Sequence, residues 1–198
     1  MDSRTESAPI NIPMWLTWGR IAMIPLVIGL FYLPDHWLSP HAKNVAACVI
    51  FVLAALTDAF DGYIARRYGM TTPLGAFLDP VADKLMVSAA LIVLLALGRI
   101  DMFVALVIIG REIAVSALRE WMAQLGAARA VAVNQMGKFK TIAQMVAIPM
   151  LLYHDPVFGI IDVALIGTVL IYIAAALTVY SMLIYVRLAL PYLQGGKS

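Results

Sequence analysis

Six apolar segments, roughly Leu16–Leu33, Asn44–Phe60, Asp79–Leu97, Met102–Leu118, Thr141–Tyr153 and Ile160–Tyr185, restrict what this chain can fold into. A helix needs about 20 residues to cross a bilayer. Several of the six are too short unless their polar ends also count as helix. That condition suits helices that run out of the bilayer on one side, or that line a polar cavity. Composition points the same way. The 198 residues are 63% hydrophobic and 13% charged, against about half apolar and about a quarter charged in soluble domains. The expectation is an all-α integral membrane protein with six transmembrane helices and one domain over residues 1–198. No repeat, low-complexity stretch or second domain is visible.

Other bulk features narrow the function. A net charge of +2 is too small to suggest a nucleic-acid partner. The single cysteine, Cys48, excludes an internal disulfide framework and a multi-cysteine metal site. It lies in an apolar run and reads as a packed core residue. The opening "MDSRTESAPINIP" is polar with mixed charge and lacks the pattern of a cleaved signal, so the first apolar segment is expected to remain as a membrane helix. "SAPINIPMWLTW" fits either a short interfacial helix, with Trp15 and Trp18 at headgroup level, or an ordinary aromatic belt.

The connecting stretches "PDHWLSPHAKN", "RRYGMTTP", "GRID", "REWMAQLGAARAVAVNQMGKFK" and "HDPVFG" are rich in turn-forming residues. Basic residues set the orientation. With six spans and a cytoplasmic N-terminus, only Lys43 and Arg99 of the fourteen Lys and Arg fall outside. That orientation places Asp58–Lys84 at the cytoplasmic ends of helices 2 and 3.

Within that stretch lie four aspartates. Carboxylates inside a membrane cost at least ~2.5 kcal/mol each on insertion scales, so a compensating partner is required. Asp58 and Asp61 are spaced i,i+3, and Asp79 and Asp83 i,i+4, so each pair shares a helix face. Antiparallel packing of helices 2 and 3 would bring the two faces together. Converging carboxylates suit a hard divalent cation. Zinc prefers His or Cys, and His36, His41 and His154 all map to outward loops. Gly62 and Gly75 leave room for a ligand, and Arg66 can reach a phosphate. The same spacing also fits buried ion pairs with Arg66, Arg67 and Lys84, or an ion pathway through the aspartates.

The pattern D-x2-D-G-x2-A-R-x8-G-x3-D-x3-D runs through Asp58, Asp61, Gly62, Ala65, Arg66, Gly75, Asp79 and Asp83. It resembles the signature of the CDP-alcohol phosphatidyltransferases, with every spacing kept. "NIPMWLTWGRIAMIPL" is similar to the opening of that family. "GREIAVSALREWMAQLG" and "GKFKTIAQM" resemble the subgroup that makes phosphatidylglycerophosphate from CDP-diacylglycerol and glycerol 3-phosphate. The resemblance covers most of the chain, leaving the last span and tail generic.

The resemblance implies a six-helix membrane fold, usually a homodimer, with a cavity open to the cytoplasm, and suggests the bacterial inner membrane. It implies two divalent cations, Mg2+ or Mn2+, on Asp58, Asp61, Asp79 and Asp83, with Asp83 as the base. It places Gly62, Arg66, Thr72 and Gly75, and also Asn11, around the CDP group. A phosphorylated acceptor calls for cations. Arg111 interrupts an apolar run, and Arg119, Lys138 and Lys140 lie towards the cytoplasmic end. The four are expected to bind the acceptor phosphate. The other reading pairs Arg111 with Glu112 and leaves the rest as positive-inside loop charges. Other acceptors (phosphatidylglycerol, inositol phosphate or serine) and a divalent-cation transporter are the competing functions.

Overall fold

The computed structural model of the chain describes residues 12–68, 73–127 and 135–193, with the side chains of residues 12, 13, 61–68, 73, 76, 135–138 and 193 outside that description. Six helices form among these residues: α1 (Ile12–Leu30), α2 (Pro40–Tyr68), α3 (Pro73–Ala96), α4 (Met102–Gln124), α5 (Gln135–Tyr153) and α6 (Val163–Leu193). Outside them, among the described residues, the strand-type pairing is limited to an isolated bridge, Val157 with Ile161.

The helices overrun the apolar segments, mostly at one end of the bundle. α2 continues past Phe60 to Tyr68, and α3 begins at Pro73, before Asp79. α4 runs on to Gln124, α5 begins at Gln135, and α6 continues to Leu193. A helix satisfies its own backbone amides whatever its side chains are, so it persists beyond the apolar stretch. The overrunning turns of α2, α4 and α5 carry Arg66, Arg67, Arg119, Lys138 and Lys140. Among the described residues, two helical stretches, Pro40–Phe60 and Val163–Tyr192, are long and apolar enough to cross a membrane; Met14–Leu30 and Phe139–Tyr153 are shorter apolar stretches. α3 and α4 carry internal charges, including Asp79, Asp83, Arg111 and Glu112. Trp15 and Trp18, both exposed, belong to the first turns of α1, continuous with the rest of that helix.

The opposite end is closed by caps and short contacts. Ser39, Asp101 and Asp162 accept backbone N–H donors from Ala42, Phe103 and Leu165, satisfying the first turns of α2, α4 and α6. Gly98 supplies the left-handed turn (φ 67°) after α3. Lys43 donates to the Leu33 carbonyl at 2.5 Å and to Asp35 at 2.7 Å. Arg99 donates to the Leu151 and Leu152 carbonyls at the end of α5, at 3.0 and 2.8 Å, and to Asn44 at 2.7 Å. His41 meets Asp155 at 2.6 Å. His41 is thus in the first turn of α2, inside the helix where a loop position is expected. The two basic residues assigned to the outer side both sit at this end.

Between the ends, the core is built from small and aliphatic residues such as Ala47, Ala54, Ala90, Leu91, Leu94, Ile108, Ile148 and Ile171. Small residues let helix backbones approach closely. Among the described glycines, Gly167 of α6 has the closest neighbours: an added Cβ would lie 3.0 Å from Leu151 Cγ and 3.1 Å from Met150 Cβ. Large apolar side chains such as Leu53, Phe77, Leu106, Ile142 and Leu183 face outward. α1 packs more extensively against both α2 and α3 than those two pack against each other. α3 also touches α4 and α5, so the helix that carries Asp79 and Asp83 is central at the polar end.

Candidate active site

Asp58 lies on α2 just before its apolar segment ends at Phe60, and Asp79 and Asp83 lie on α3. Pro80, between the last two, has no N–H, so it frees one backbone carbonyl a turn earlier. Direct packing of α2 on α3 is the sequence-based expectation for joining the carboxylates; in the structure α1 does much of this work. Arg20 of α1, only 1% exposed, pairs with Asp58 at 2.7 Å. Thr17, one turn earlier, donates its hydroxyl to Asp79 Oδ1 at 2.5 Å. The Asp58 and Asp83 carboxylates lie within electrostatic reach of each other, in a field that also includes Arg20, Glu112 and Lys84.

The donor chemistry of this group, carboxylate and hydroxyl oxygen, fits a hard divalent cation. The Asp61 side chain lies outside the description, as do those of Arg66 and Lys138, and Asn11 and Thr72 lie outside the described residues altogether. Among the described side chains, no group of three or more His, Cys, Asp and Glu is drawn together tightly enough to hold an ion. Gly62 is in the helical part of α2, and Gly75 lies in the first turn of α3, one turn before Asp79.

Asp83 connects the carboxylates to a second group. It lines a cavity of about 370 Å3 with Pro80, Lys84, Arg111, Glu112, Val115, Ser116 and Arg119. It also lines a smaller one of about 50 Å3 with Glu112, Lys140 and Gln144. Arg111 and Lys140 are both buried. Lys140 donates to Glu112 Oε1, whereas Arg111 is 3.4 Å from the same oxygen. Glu112 is therefore paired mainly across helices, as neighbours on one helix point in different directions. Of the four cations expected around an acceptor phosphate, Arg111, Arg119 and Lys140 are brought to this region, although Lys140 is already held by Glu112.

Several contributors are not singled out by the sequence. Arg20 interrupts an apolar segment as Arg111 does, and the need to compensate such a charge is a signal that could have found it. Thr17, Ser181 and Tyr185 carry no such signal. Polar or aromatic residues at helical spacing in an apolar segment look like any other membrane-facing positions. Ser181 accepts from Arg111 at 3.2 Å, and the Tyr185 hydroxyl accepts from Arg119 at 2.6 Å.

A helical bundle with aspartates on two neighbouring helices and a cationic cavity beside them defines a class, and comparison with known sequences names it. Residues 10–180 match the profile of the CDP-alcohol phosphatidyltransferases, and the chain belongs to that family. It is 48% identical over 185 residues to the CDP-diacylglycerol–glycerol-3-phosphate 3-phosphatidyltransferase of Sodalis glossinidius (strain morsitans), with 91% of this chain and 95% of that protein covered. The protein of the same name from Yersinia pestis (strain Pestoides F) is 48% identical, with 91% and 95% covered. The one from Shigella flexneri serotype 5b (strain 8401) is 47% identical, with 90% and 94% covered.

Proposed function

We propose that this protein transfers a phosphatidyl group from CDP-diacylglycerol to glycerol 3-phosphate, giving phosphatidylglycerophosphate and CMP. One observation carries the reading beyond the family likeness. Asp83, the proposed proton acceptor, and the guanidinium-bearing residues Arg111 and Arg119 line the same cavity of about 370 Å3. A phosphorylated alcohol needs both features at once, a base near its hydroxyl and cations around its phosphate.

In this scheme the 1-hydroxyl of glycerol 3-phosphate attacks the lipid-side phosphorus of CDP-diacylglycerol. A new P–O bond forms, the bond to the CMP oxygen breaks, and CMP leaves. Phosphoryl-type displacement depends above all on alignment and charge neutralisation. Asp83 takes the hydroxyl proton, because none of the three histidines lies at this end. Arg111 and Arg119 hold the acceptor phosphate through paired N–H donors, with Lys138 and Lys140 beside them. Gly62, Arg66, Thr72, Gly75 and Asn11 surround the CDP group. Asp58, Asp61, Asp79 and Asp83 would hold two divalent cations, Mg2+ or Mn2+, which when bound supply charge neutralisation at the diphosphate. Thr17 and Arg20 keep Asp79 and Asp58 oriented towards the site.

The chain forms one domain over residues 1–198 and crosses a bacterial inner membrane six times, as a homodimer surrounded by lipid. The carboxylate end faces the cytoplasm, where CDP-diacylglycerol headgroups and glycerol 3-phosphate meet. The concentration of basic residues at that end supports this orientation.

The test is an acceptor panel. Purified protein in detergent is given CDP-diacylglycerol with labelled glycerol 3-phosphate, inositol phosphate, serine or phosphatidylglycerol in turn. Label should enter lipid from glycerol 3-phosphate. Preferential transfer from any other acceptor would replace this reading, and cation flux in vesicles without any lipid nucleotide would point to transport.

A further inference from the structure

Tyr185 of α6 lies between two cations. Its ring centroid is 5.7 Å from the Arg111 guanidinium carbon and 5.0 Å from that of Arg119. Its hydroxyl also accepts from Arg119 Nη2 at 2.6 Å. The residue is 1% exposed and packs with Val115, Met122 and Ala189, so the ring has little freedom to move. One helical turn earlier, Ser181 accepts from Arg111 Nη2 at 3.2 Å. α6 therefore fixes both guanidinium groups of α4 from the side.

Arg111 and Arg119 are eight residues apart on one helix, about 12 Å along its axis and roughly 80° around it. Left alone, two long cationic side chains in a poorly solvated place would repel each other and spread. An aromatic face attracts each of them, by about 0.5–2 kcal/mol depending on desolvation. The shared ring thus draws two like charges towards one point. The Nε atoms of Arg111 and Arg119 are buried and have no hydrogen-bond partner among the described residues. Both arginines line the cavity of about 370 Å3, and a guanidinium has five N–H donors, more than Glu112 and Ser181 take from Arg111 or Tyr185 takes from Arg119, so a ligand with several acceptor oxygens would use the rest.

We propose that Tyr185 is a positioning residue that sets the spacing of Arg111 and Arg119 for the phosphate of the acceptor, and so contributes to selection of phosphorylated over unphosphorylated alcohols. The inference rests on the function proposed above. It assigns a role in substrate choice to the last helix, where the sequence itself shows only a generic span. Tyr185 does not touch the reacting atoms in this account; it acts through the two arginines.

The experiment is steady-state kinetics on the full-length protein in detergent, comparing the unmodified enzyme with Tyr185→Phe and Ser181→Ala. Phenylalanine keeps the ring and its packing and removes only the hydroxyl. Loss of a hydrogen bond to a charged group predicts a rise of about tenfold or more in KM for glycerol 3-phosphate. The KM for CDP-diacylglycerol and kcat should stay within about twofold, and glycerol 3-phosphate should protect the variant less against heat than it protects the unmodified enzyme. A merely structural residue would shift both substrates together. An unchanged glycerol 3-phosphate KM in an active Tyr185→Phe enzyme would overturn the inference and leave the proposed function standing. Should that variant fail to fold, Ser181→Ala decides by the same criteria. If the unmodified enzyme does not use glycerol 3-phosphate at all, the proposed function fails and this inference fails with it.

Discussion

Lys140 of α5 donates to Glu112 of α4 on the wall of a small cavity that Asp83 also lines. Lys140 is 2% exposed, so its ammonium depends on that carboxylate for compensation. Removing one partner of a buried pair is more damaging than removing both, because it leaves an uncompensated charge. Glu112→Ala should therefore destabilise the protein by up to about 3 kcal/mol, and the double variant with Lys140→Met should recover part of the loss. Thermal unfolding in one detergent, with the two single variants and the double, measures this. Additive losses would mean that the pair is not coupled.

The aspartates are expected to divide their roles. Asp58→Asn should weaken cation-dependent binding of CDP-diacylglycerol, because it removes a proposed ligand and the partner of Arg20. Asp83→Asn should reduce turnover by about a hundredfold or more, the usual scale for losing a general base. Binding of CDP-diacylglycerol, followed by the labelled nucleotide, separates the two effects. Near-normal turnover in Asp83→Asn would remove Asp83 as the base.

Orientation can be read by labelling. In a Cys48→Ala background, cysteines placed at Ser116 and at His154 lie at opposite ends of the bundle. A membrane-impermeant thiol reagent applied to intact cells should label position 154 and spare position 116. The reverse pattern would put the carboxylate end outside, away from cytoplasmic CDP-diacylglycerol headgroups.

His154 makes the opposite end sensitive to pH. Partial desolvation, and then the Arg99 guanidinium, hold its imidazole below the ordinary histidine range. A group with a lowered folded-state pKa binds its proton more readily when unfolded. Stability should therefore fall as pH drops below about 6.5, the unfolded value, and level off below the folded value. His154 has a left-handed backbone (φ 63°), which asparagine tolerates well. His154→Asn should flatten the thermal-stability profile between about pH 5 and pH 7. An unchanged slope would assign the effect elsewhere.

Much of this fold and site is legible in the sequence, for identifiable reasons. Segment count follows from apolar run length, and helix overrun follows from the shortness of those runs. The placement of Asp79 and Asp83 on one helix follows from their spacing. The sequence does not show that α1 would provide much of the link between the aspartates. Thr17 and Arg20 are remote in sequence from Asp79 and Asp58, and only three-dimensional packing joins them. Glu112 is legible in part: neighbours on one helix do not face each other, so a partner other than Arg111 is expected, but that this partner is Lys140, 28 positions away, is not readable from the sequence. Tyr185 was least accessible, because its role depends on two arginines of another helix.

The central claim is phosphatidyl transfer from CDP-diacylglycerol to glycerol 3-phosphate, assisted by a divalent cation at the aspartates. Its most direct test measures CMP release and lipid-bound label together, using labelled glycerol 3-phosphate and the purified protein. The account predicts equal amounts of CMP and labelled phosphatidylglycerophosphate, loss of both in EDTA, and recovery of both with Mg2+ or Mn2+. CMP release without labelled lipid, or full turnover in the chelated enzyme, would contradict it.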